Sequence, residues 1–444
     1  MRPRGTIRVV GLGPGDPGVR TVAGQRCLDA ASRIVLRTGV HPGLEGLNDD
    51  PRVETCDDLY DAGLTFDEVY RQIVDRVIAR AADGDVVYAV PGHPLFGERS
   101  VKLLREAAAE IGVTVEIVAG VSAIDVVAAT LGVDPLVDQI QCLDALQLDN
   151  CESDWVSPAI DPYRPILISQ VYAPHVASAV KLSLADLLPD EHEVTLVRAA
   201  GVPGEERILR CSLHELDHQA VDHLTSVWVP ALEPLAAKRH WATLIALVSR
   251  LRAPDGCPWD RAQTHESLRS AVLDEAYEVV DAIDAGDMEN LSEELGDLLL
   301  VVAMQAQIAD EEDLFSIRDA LESVNTKLVR RHPHVFGELH LDSPDDVLHT
   351  WRGIKAAERQ TKGQPAKSED PIERLPRSMP ALLKAAKVVE KHPVDTQKEW
   401  SAAAPGDALL RAVAELVAVG EDPEVALLEA LREHVSELSL RSGV

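Results

Sequence analysis

The sequence lacks the features that would place a chain in a membrane, outside the cell or on a nucleic acid. No run of 18 apolar residues occurs in its 444 positions, so no bilayer-spanning helix is expected. The opening residues MRPRGTIRVVGLGPGD contain no apolar stretch of signal-peptide length. Six cysteines, at 27, 56, 142, 151, 211 and 257, include no Cys-x-x-Cys pair, which argues against a disulfide framework or a zinc site. Lys and Arg are outnumbered by Asp and Glu, 43 to 74, for a net charge of −31. A surface of that sign repels phosphate backbones and anionic lipid. The expectation is a soluble, cytoplasmic protein with free thiols that binds neither nucleic acid nor membrane.

What the chain does have is 46% apolar residues and length for two or three domains of about 100–200 residues each. Residues 7–12, IRVVGL, read as a buried strand running into Gly11-Leu-Gly13-Pro-Gly15-Asp16. VVYAV (86–90) is a second strand, ending in Pro91-Gly92-His93-Pro94. TVEIV (114–118) is a third, ending in Ala119-Gly120-Val121-Ser122. ILISQ (166–170) and EVTLV (193–197) follow, and segments such as 98–111 and 121–131 have helical spacing. Strands alternating with helices predict an α/β domain with a largely parallel sheet. Glycines at the carboxyl ends of strands suit either a tight turn or the rim of a ligand site.

GLGPGD, the PGHP loop, AGVSAIDVVAATLG (119–132) and ASAVKLSLADLLPDEHEVTLVRAAG (177–201) resemble the tetrapyrrole methylase-like domain, in its YabN-type branch, over about 5–232. The resemblance implies that the loops bind S-adenosylmethionine through Gly11, Gly13, Gly15, Pro91, Gly92, Gly120 and Ser122. It also implies an alternative activity, methyl transfer to a tetrapyrrole-like substrate. Established methylases carry Gly-Asp-Pro where this chain has Pro91-Gly92-His93-Pro94, and YabN-type domains share the altered loop. His93 itself reads as a loop residue.

A domain joint is expected near 225–240, where Pro230 and Pro234 punctuate the pattern. Beyond it the acidic residues become ordered. Glu275-Ala-Tyr-Glu278 and Glu294-Leu-Gly-Asp297 lie on two successive predicted helices, about 265–285 and 288–311, each pair at i, i+3 and so on one helical face. Leu268, Val272, Val279 and Ile283 fall within about 60° of one another and make the apolar stripe of the first helix. Leu291, Leu295, Leu298 and Val302 do so on the second. Thr264 is placed as N-cap and Gly286 as the left-handed C-terminal residue. Carboxylates bordering a core-facing stripe cost several kcal/mol to desolvate, and four together repel. A hard divalent cation relieves both effects. A plain solvated acidic face is the competing reading.

A third helix, about 313–331, carries Ile317, Leu321, Val324 and Leu328 as its stripe and ends with Lys327, Arg330 and Arg331 on one face. These read either as capping charges or as a phosphate clamp, for which Arg forks and a Lys point charge are suited. Trp259, in the rigid loop APDGCPWD, either covers a core or stacks on a planar ligand. LRAPDGCPWDRAQTH, LDEAYEVVDAID, ELGDLLL and KLVRRHPHVFG resemble the MazG nucleoside triphosphate pyrophosphohydrolases over about 240–360. The resemblance implies an all-α, dimeric, Mg²⁺- or Mn²⁺-dependent enzyme converting nucleoside triphosphates to monophosphate and pyrophosphate, in a housekeeping or pool-sanitising role. It assigns metal ligation and catalysis to Glu275, Glu278, Glu294 and Asp297, phosphate contacts to Lys327, Arg330 and Arg331, and a place near the nucleotide to Trp259. Asp274 departs from the family pattern, which has Glu there.

Residues 361–374 read as a polar linker, and 375–444 resemble a second, degenerate MazG-like repeat with Ala404-Pro-Gly-Asp407 in place of Glu294-Leu-Gly-Asp297. The expected organisation is an α/β domain over 1–232, an all-α domain over 233–362, and linker plus degenerate helices over 363–444.

Overall fold

A computed structural model of the chain describes residues 5–44, 46–60, 65–149, 160–233, 235–361, 370–392 and 405–431. The chain divides into two compact units, Met1–Ile317 and Arg318–Val444.

The first unit opens with a five-stranded sheet: β1 (Ile7–Gly11), β2 (Ile34–Leu36), β3 (Val53–Thr55), β4 (Val86–Val90) and β5 (Val115–Val118). The order is β3-β2-β4-β1-β5 and every pairing is parallel. Helices cover both faces, so β1 and β4 are apolar on consecutive residues, as buried parallel strands are. Ile7, Val9 and Tyr88 enter one core with Ile73 and Leu104. Val10, Val87 and Ala89 enter the other with Leu28 and Leu36.

A second sheet follows: β6 (Gln141–Asp144), β7 (Ile166–Ser169), β8 (Glu193–Arg198), β9 (Arg207–Ser212) and β10 (Thr225–Val229). Its order is β6-β7-β10-β8-β9. Only β6 and β7 run parallel; the remaining pairings are antiparallel. The expectation of a largely parallel sheet is therefore met by the first sheet and corrected by the second. Short β2 and β3 have too few residues for a period to emerge, and β9 is an exposed edge strand rich in Arg.

The helical part of this unit contains the Trp241–Arg252, Arg269–Ala285 and Met288–Glu311 helices. The last has the expected bounds, with Asp287 as N-cap accepting from the Asn290 N–H at 3.1 Å. The preceding helix starts later than expected. Thr264 exchanges hydrogen bonds with Ser267 and closes a turn one step earlier, and the N-cap is Leu268.

The apolar stripes also need correction. Leu268 is buried, but Ile283, Leu295 and Val302 are 53%, 45% and 44% exposed. The buried face of the Met288–Glu311 helix is instead Ala303, Met304 and Ile308, packed on Val248 and Leu268. The Arg269–Ala285 and Met288–Glu311 helices pack on each other, and the latter also on Trp241–Arg252, while these apolar side chains stay exposed. The third helix, Ile317–Arg331, shows the same pattern, with Leu321, Val324 and Leu328 exposed.

The second unit continues with the Pro344–Thr361, Ala381–Lys391 and Pro405–Val419 helices. The last two join through Val389, Val413 and Ala414. Most of the expected linker, 362–369, and Ala404 of the degenerate motif lie outside the described residues. Among the described residues no helix is long and apolar enough to cross a membrane. Cys27, Cys56, Cys142, Cys211 and Cys257 carry free thiols.

Candidate functional site

The two acidic pairs meet because the chain reverses in two residues. Gly286 takes the left-handed conformation at φ +66° and its N–H caps the Arg269–Ala285 helix; Asp287 then caps the next. The two helices pack side by side along this reversal. Glu275, Glu278 and Glu294 each offer one carboxylate oxygen within 4.8 Å of the others. Asp297 is not one of this triplet, but its charge acts on both Glu275 and Glu294. Asp274 points outward and is exposed.

The electrostatics of the cluster are those of crowded anions. Desolvation, then the charges of Glu278 and Asp297, raise the Glu275 carboxyl above its ordinary range. Desolvation, then Glu278, Asp297 and Glu293, do the same to Glu294, against a hydrogen bond from Asn290. Hard oxygen donors fit a hard divalent cation. Three oxygens around one octahedral Mg²⁺ lie about 3–4 Å apart, and carboxylates already within 4.8 Å of one another are near enough to reach such a spacing by side-chain adjustment.

Trp259 sits on the short Pro258–Arg261 helix, which follows a tied-down loop. Arg252 donates to both carboxylate oxygens of Glu311 and, through Nη1, to the Asp260 and Gln263 carbonyls at 2.5 and 3.2 Å. Gly256 permits the tight bend, since a Cβ there would lie 2.2 Å from the Leu251 carbonyl oxygen. Trp259 itself is 66% exposed, so it covers no core in this chain.

Lys327, Arg330 and Arg331 belong to the second unit. Lys327 is half-buried. Both arginines reach Glu358 on the Pro344–Thr361 helix, Arg330 at 2.6 Å and Arg331 at 2.7 Å. Sequence reading missed Glu358, since no local spacing connects it to residues so far away in the chain. It missed Arg37 and Glu98 for the same reason. These two form an ion pair at 3.2 Å near the carboxyl end of β2.

The glycine loops come together because β4, β1 and β5 are neighbours. Gly13 and Gly92 exchange backbone hydrogen bonds at 3.2 and 2.8 Å. A Cβ on Gly11 would lie 2.5 Å from the Gly92 oxygen and 2.8 Å from the Gly120 Cα. A Cβ on Gly120 would lie 2.5 Å from the same oxygen and 2.8 Å from the Gly11 Cα. Packing of three backbones thus requires these two glycines, whatever binds nearby. Gly92, at φ +64°, faces open space. Gly15 sits against Val202, and Pro91 is half-buried. The Ser122 hydroxyl caps the Ala123–Leu131 helix, exchanging bonds with Asp125. His93 accepts from the Leu95 N–H through Nδ1 and supports its own loop. Of the residues that the resemblance assigns to S-adenosylmethionine, Gly11 and Gly120 are packed against backbone, the Ser122 hydroxyl is engaged by Asp125, and Gly92 has open space beside its Cα. Gly120→Ala is expected to destabilise the α/β part by about 1–3 kcal/mol, the scale of overpacking, read as a lowered thermal midpoint.

Comparison with known proteins follows this division. The sequence model of the Tetrapyrrole (Corrin/Porphyrin) Methylases matches residues 6–217, and that of the MazG nucleotide pyrophosphohydrolase domain matches 263–336. The nucleoside triphosphate pyrophosphohydrolase of Escherichia coli (strain K12) is 40% identical over 163 residues, 36% of this chain and 60% of that protein. The nucleoside triphosphate pyrophosphohydrolase/pyrophosphatase MazG of Thermotoga maritima is 44% identical over 147 residues, 33% of this chain and 54% of that protein. This chain thus spans little more than half the length of either. The uncharacterized protein YabN of Bacillus subtilis (strain 168) is 39% identical over 387 residues, 86% of this chain and 76% of that protein. On that likeness the chain belongs to the YabN family, and in it a tetrapyrrole methylase match is followed by a MazG domain match.

Proposed function

We propose that the helical half hydrolyses nucleoside triphosphates to the monophosphate and pyrophosphate, with Mg²⁺ or Mn²⁺ held by Glu275, Glu278 and Glu294 and assisted by Asp297. The observation that carries this is the convergence of three carboxylates, each with an oxygen within 4.8 Å of the others, whose charges repel. Bound there, such a cation supplies polarisation of phosphate oxygens and acidification of water. The carboxylates orient it, and the neighbouring Asp297 adds field or a further ligand. In the second unit Arg330 and Arg331 offer planar N–H forks suited to phosphate oxygens and Lys327 a point charge; in the first, Trp259 offers a face suited to a base. In the reaction a water oxygen bonds to the α-phosphorus, the α–β anhydride bond breaks, and pyrophosphate leaves with the electron pair.

The MazG match and the named pyrophosphohydrolases support this reading. The uncovered Ile283, Leu295 and Val302 support a homodimer through the helical half, and free thiols support the cytoplasm as its compartment. Sanitising of the nucleotide pool is the proposed role. The test is turnover of mixed nucleoside triphosphates by the full chain with and without Mg²⁺. Pyrophosphate and monophosphate in equal amounts, lost on chelation, are expected. Release of orthophosphate with diphosphate, or turnover indifferent to chelator, rejects the proposal.

A second reading concerns the α/β half, as an S-adenosylmethionine-dependent methyltransferase. The open space at Gly92 and the methylase match support it, while Pro91-Gly92-His93-Pro94 carries no carboxylate to meet a cationic ligand. Calorimetric titration with S-adenosylmethionine tests the binding half of this reading.

A further inference from the structure

The basic end of the Ile317–Arg331 helix is held by a carboxylate from another helix of the same unit. Arg331 donates from Nε and Nη2 to the two Glu358 oxygens at 3.1 and 2.7 Å. Arg330 donates from Nε to Oε1 at 2.9 Å, with its Nη2 at 2.6 Å from the same oxygen. The Glu358 side chain is 11% exposed and Arg330 47% exposed, so the acid lies inside and the base faces out. Arg331, then Arg330, hold the Glu358 carboxyl down to about 2, so it stays ionised throughout the working range.

We propose that Glu358 is a positioning residue for phosphate recognition: it locks Arg330 and Arg331 side by side, so that the N–H groups outside the pairing meet the oxygens of a polyphosphate chain. This rests on the reading that this helix end takes the phosphates of a nucleotide. The geometry carries it. The pairing engages the Nε and Nη2 edge of each guanidinium and leaves Nη1 of each outside. Ordering two long, rotamer-rich side chains is the main entropic cost of building such a clamp, and Glu358 meets that cost before any ligand arrives. One effect opposes it, since the carboxylate repels an incoming anion. That repulsion is between partly exposed groups and is screened by salt. Prior ordering outweighs it.

The opposing effects make the test decisive. Full-length protein and Glu358→Gln are titrated by calorimetry with inorganic tripolyphosphate and Mg²⁺, and their thermal midpoints are compared. The expected result is an affinity about ten-fold weaker in the variant, from two side chains no longer pre-ordered. With a nucleoside triphosphate, KM rises by about the same factor while kcat stays within about two-fold, since the interaction is made equally in ground and transition states. Glu358→Asp, charged but a methylene shorter, recovers part of the loss. Unchanged or tighter binding by Glu358→Gln overturns the proposal, the tighter result marking Glu358 as a competitor of phosphate instead. If the glutamine variant fails to fold, the aspartate variant decides: intermediate affinity supports the positioning role and wild-type affinity removes it. A wild-type chain that binds no tripolyphosphate removes the phosphate reading itself. A wild-type chain that binds, beside an indifferent variant, removes only the part given to Glu358.

Discussion

Glu278→Gln abolishes pyrophosphate release and leaves the thermal midpoint of the metal-free protein unchanged or slightly higher; this is the largest effect expected of any single substitution. Glu278 is the exposed member of the triplet, so its removal opens no cavity in a core. Its charge is also a cause of the raised carboxyls at Glu275 and Glu294, and the neutral amide relieves both. The variant therefore keeps its fold while losing one of three close cation ligands. A rate loss of about a thousand-fold corresponds to about 4 kcal/mol of transition-state stabilisation, the scale on which metal-assisted charge neutralisation acts. Turnover and melting are measured on the same preparation. Wild-type rates with ordinary Mg²⁺ dependence in the variant would place the cation elsewhere.

Divalent cation is expected to raise the thermal midpoint of the wild-type chain, and acid to cancel the rise. Folding raises the Glu275 and Glu294 carboxyls above their unfolded values. A raised carboxyl binds its proton more tightly in the folded state. Its contribution to stability is full below the unfolded pKa and is lost as pH climbs through the folded one. The metal-free cluster is thus most strained at neutral and alkaline pH, where the cation finds ionised ligands. At a concentration 100 times the dissociation constant, binding to the folded state adds about 2.7 kcal/mol. Protons and cation compete for the same oxygens, so this increment shrinks as pH falls through the folded values of the two carboxyls. Melting curves with Mg²⁺ or chelator across the acid-to-neutral range measure it. A midpoint insensitive to Mg²⁺ at pH 8 in the wild type, or equally raised in Glu278→Gln, sinks the assignment of the cation to this cluster.

The acidic centre was legible because its geometry is local. Spacing of three within each helix, with Gly286 and Asp287 marking the reversal between them, is enough to bring Glu275, Glu278 and Glu294 together. Strands β1 and β4 were legible for a related reason, since burial on both faces leaves consecutive apolar residues. Where sequence reading failed, the deciding interaction was distant or external. Glu358 meets Arg330 and Arg331 across two helices. The short β2 and β3 hold their places through neighbours such as β4, not through a period of their own. Thr264 has the chemistry of a helix cap, yet Ser267 engages it one turn too early. The apolar stripe through Ile283, Leu295 and Val302 was read as buried because periodicity reports that a face is apolar, not what covers it.

The meeting of Gly11, Gly92 and Gly120 has a consequence for what the α/β half can tolerate. The three loops meet around one carbonyl oxygen, mainly through main-chain atoms, with the Pro94 ring against Gly11 and the His41 ring hydrogen-bonded to the Gly13 oxygen. The His93 side chain, beside that oxygen, serves its own loop instead, accepting from the Leu95 N–H. A frame of this kind separates skeleton from chemistry: glycine backbones keep the strands aligned, and the side chains of the rim are left to other work.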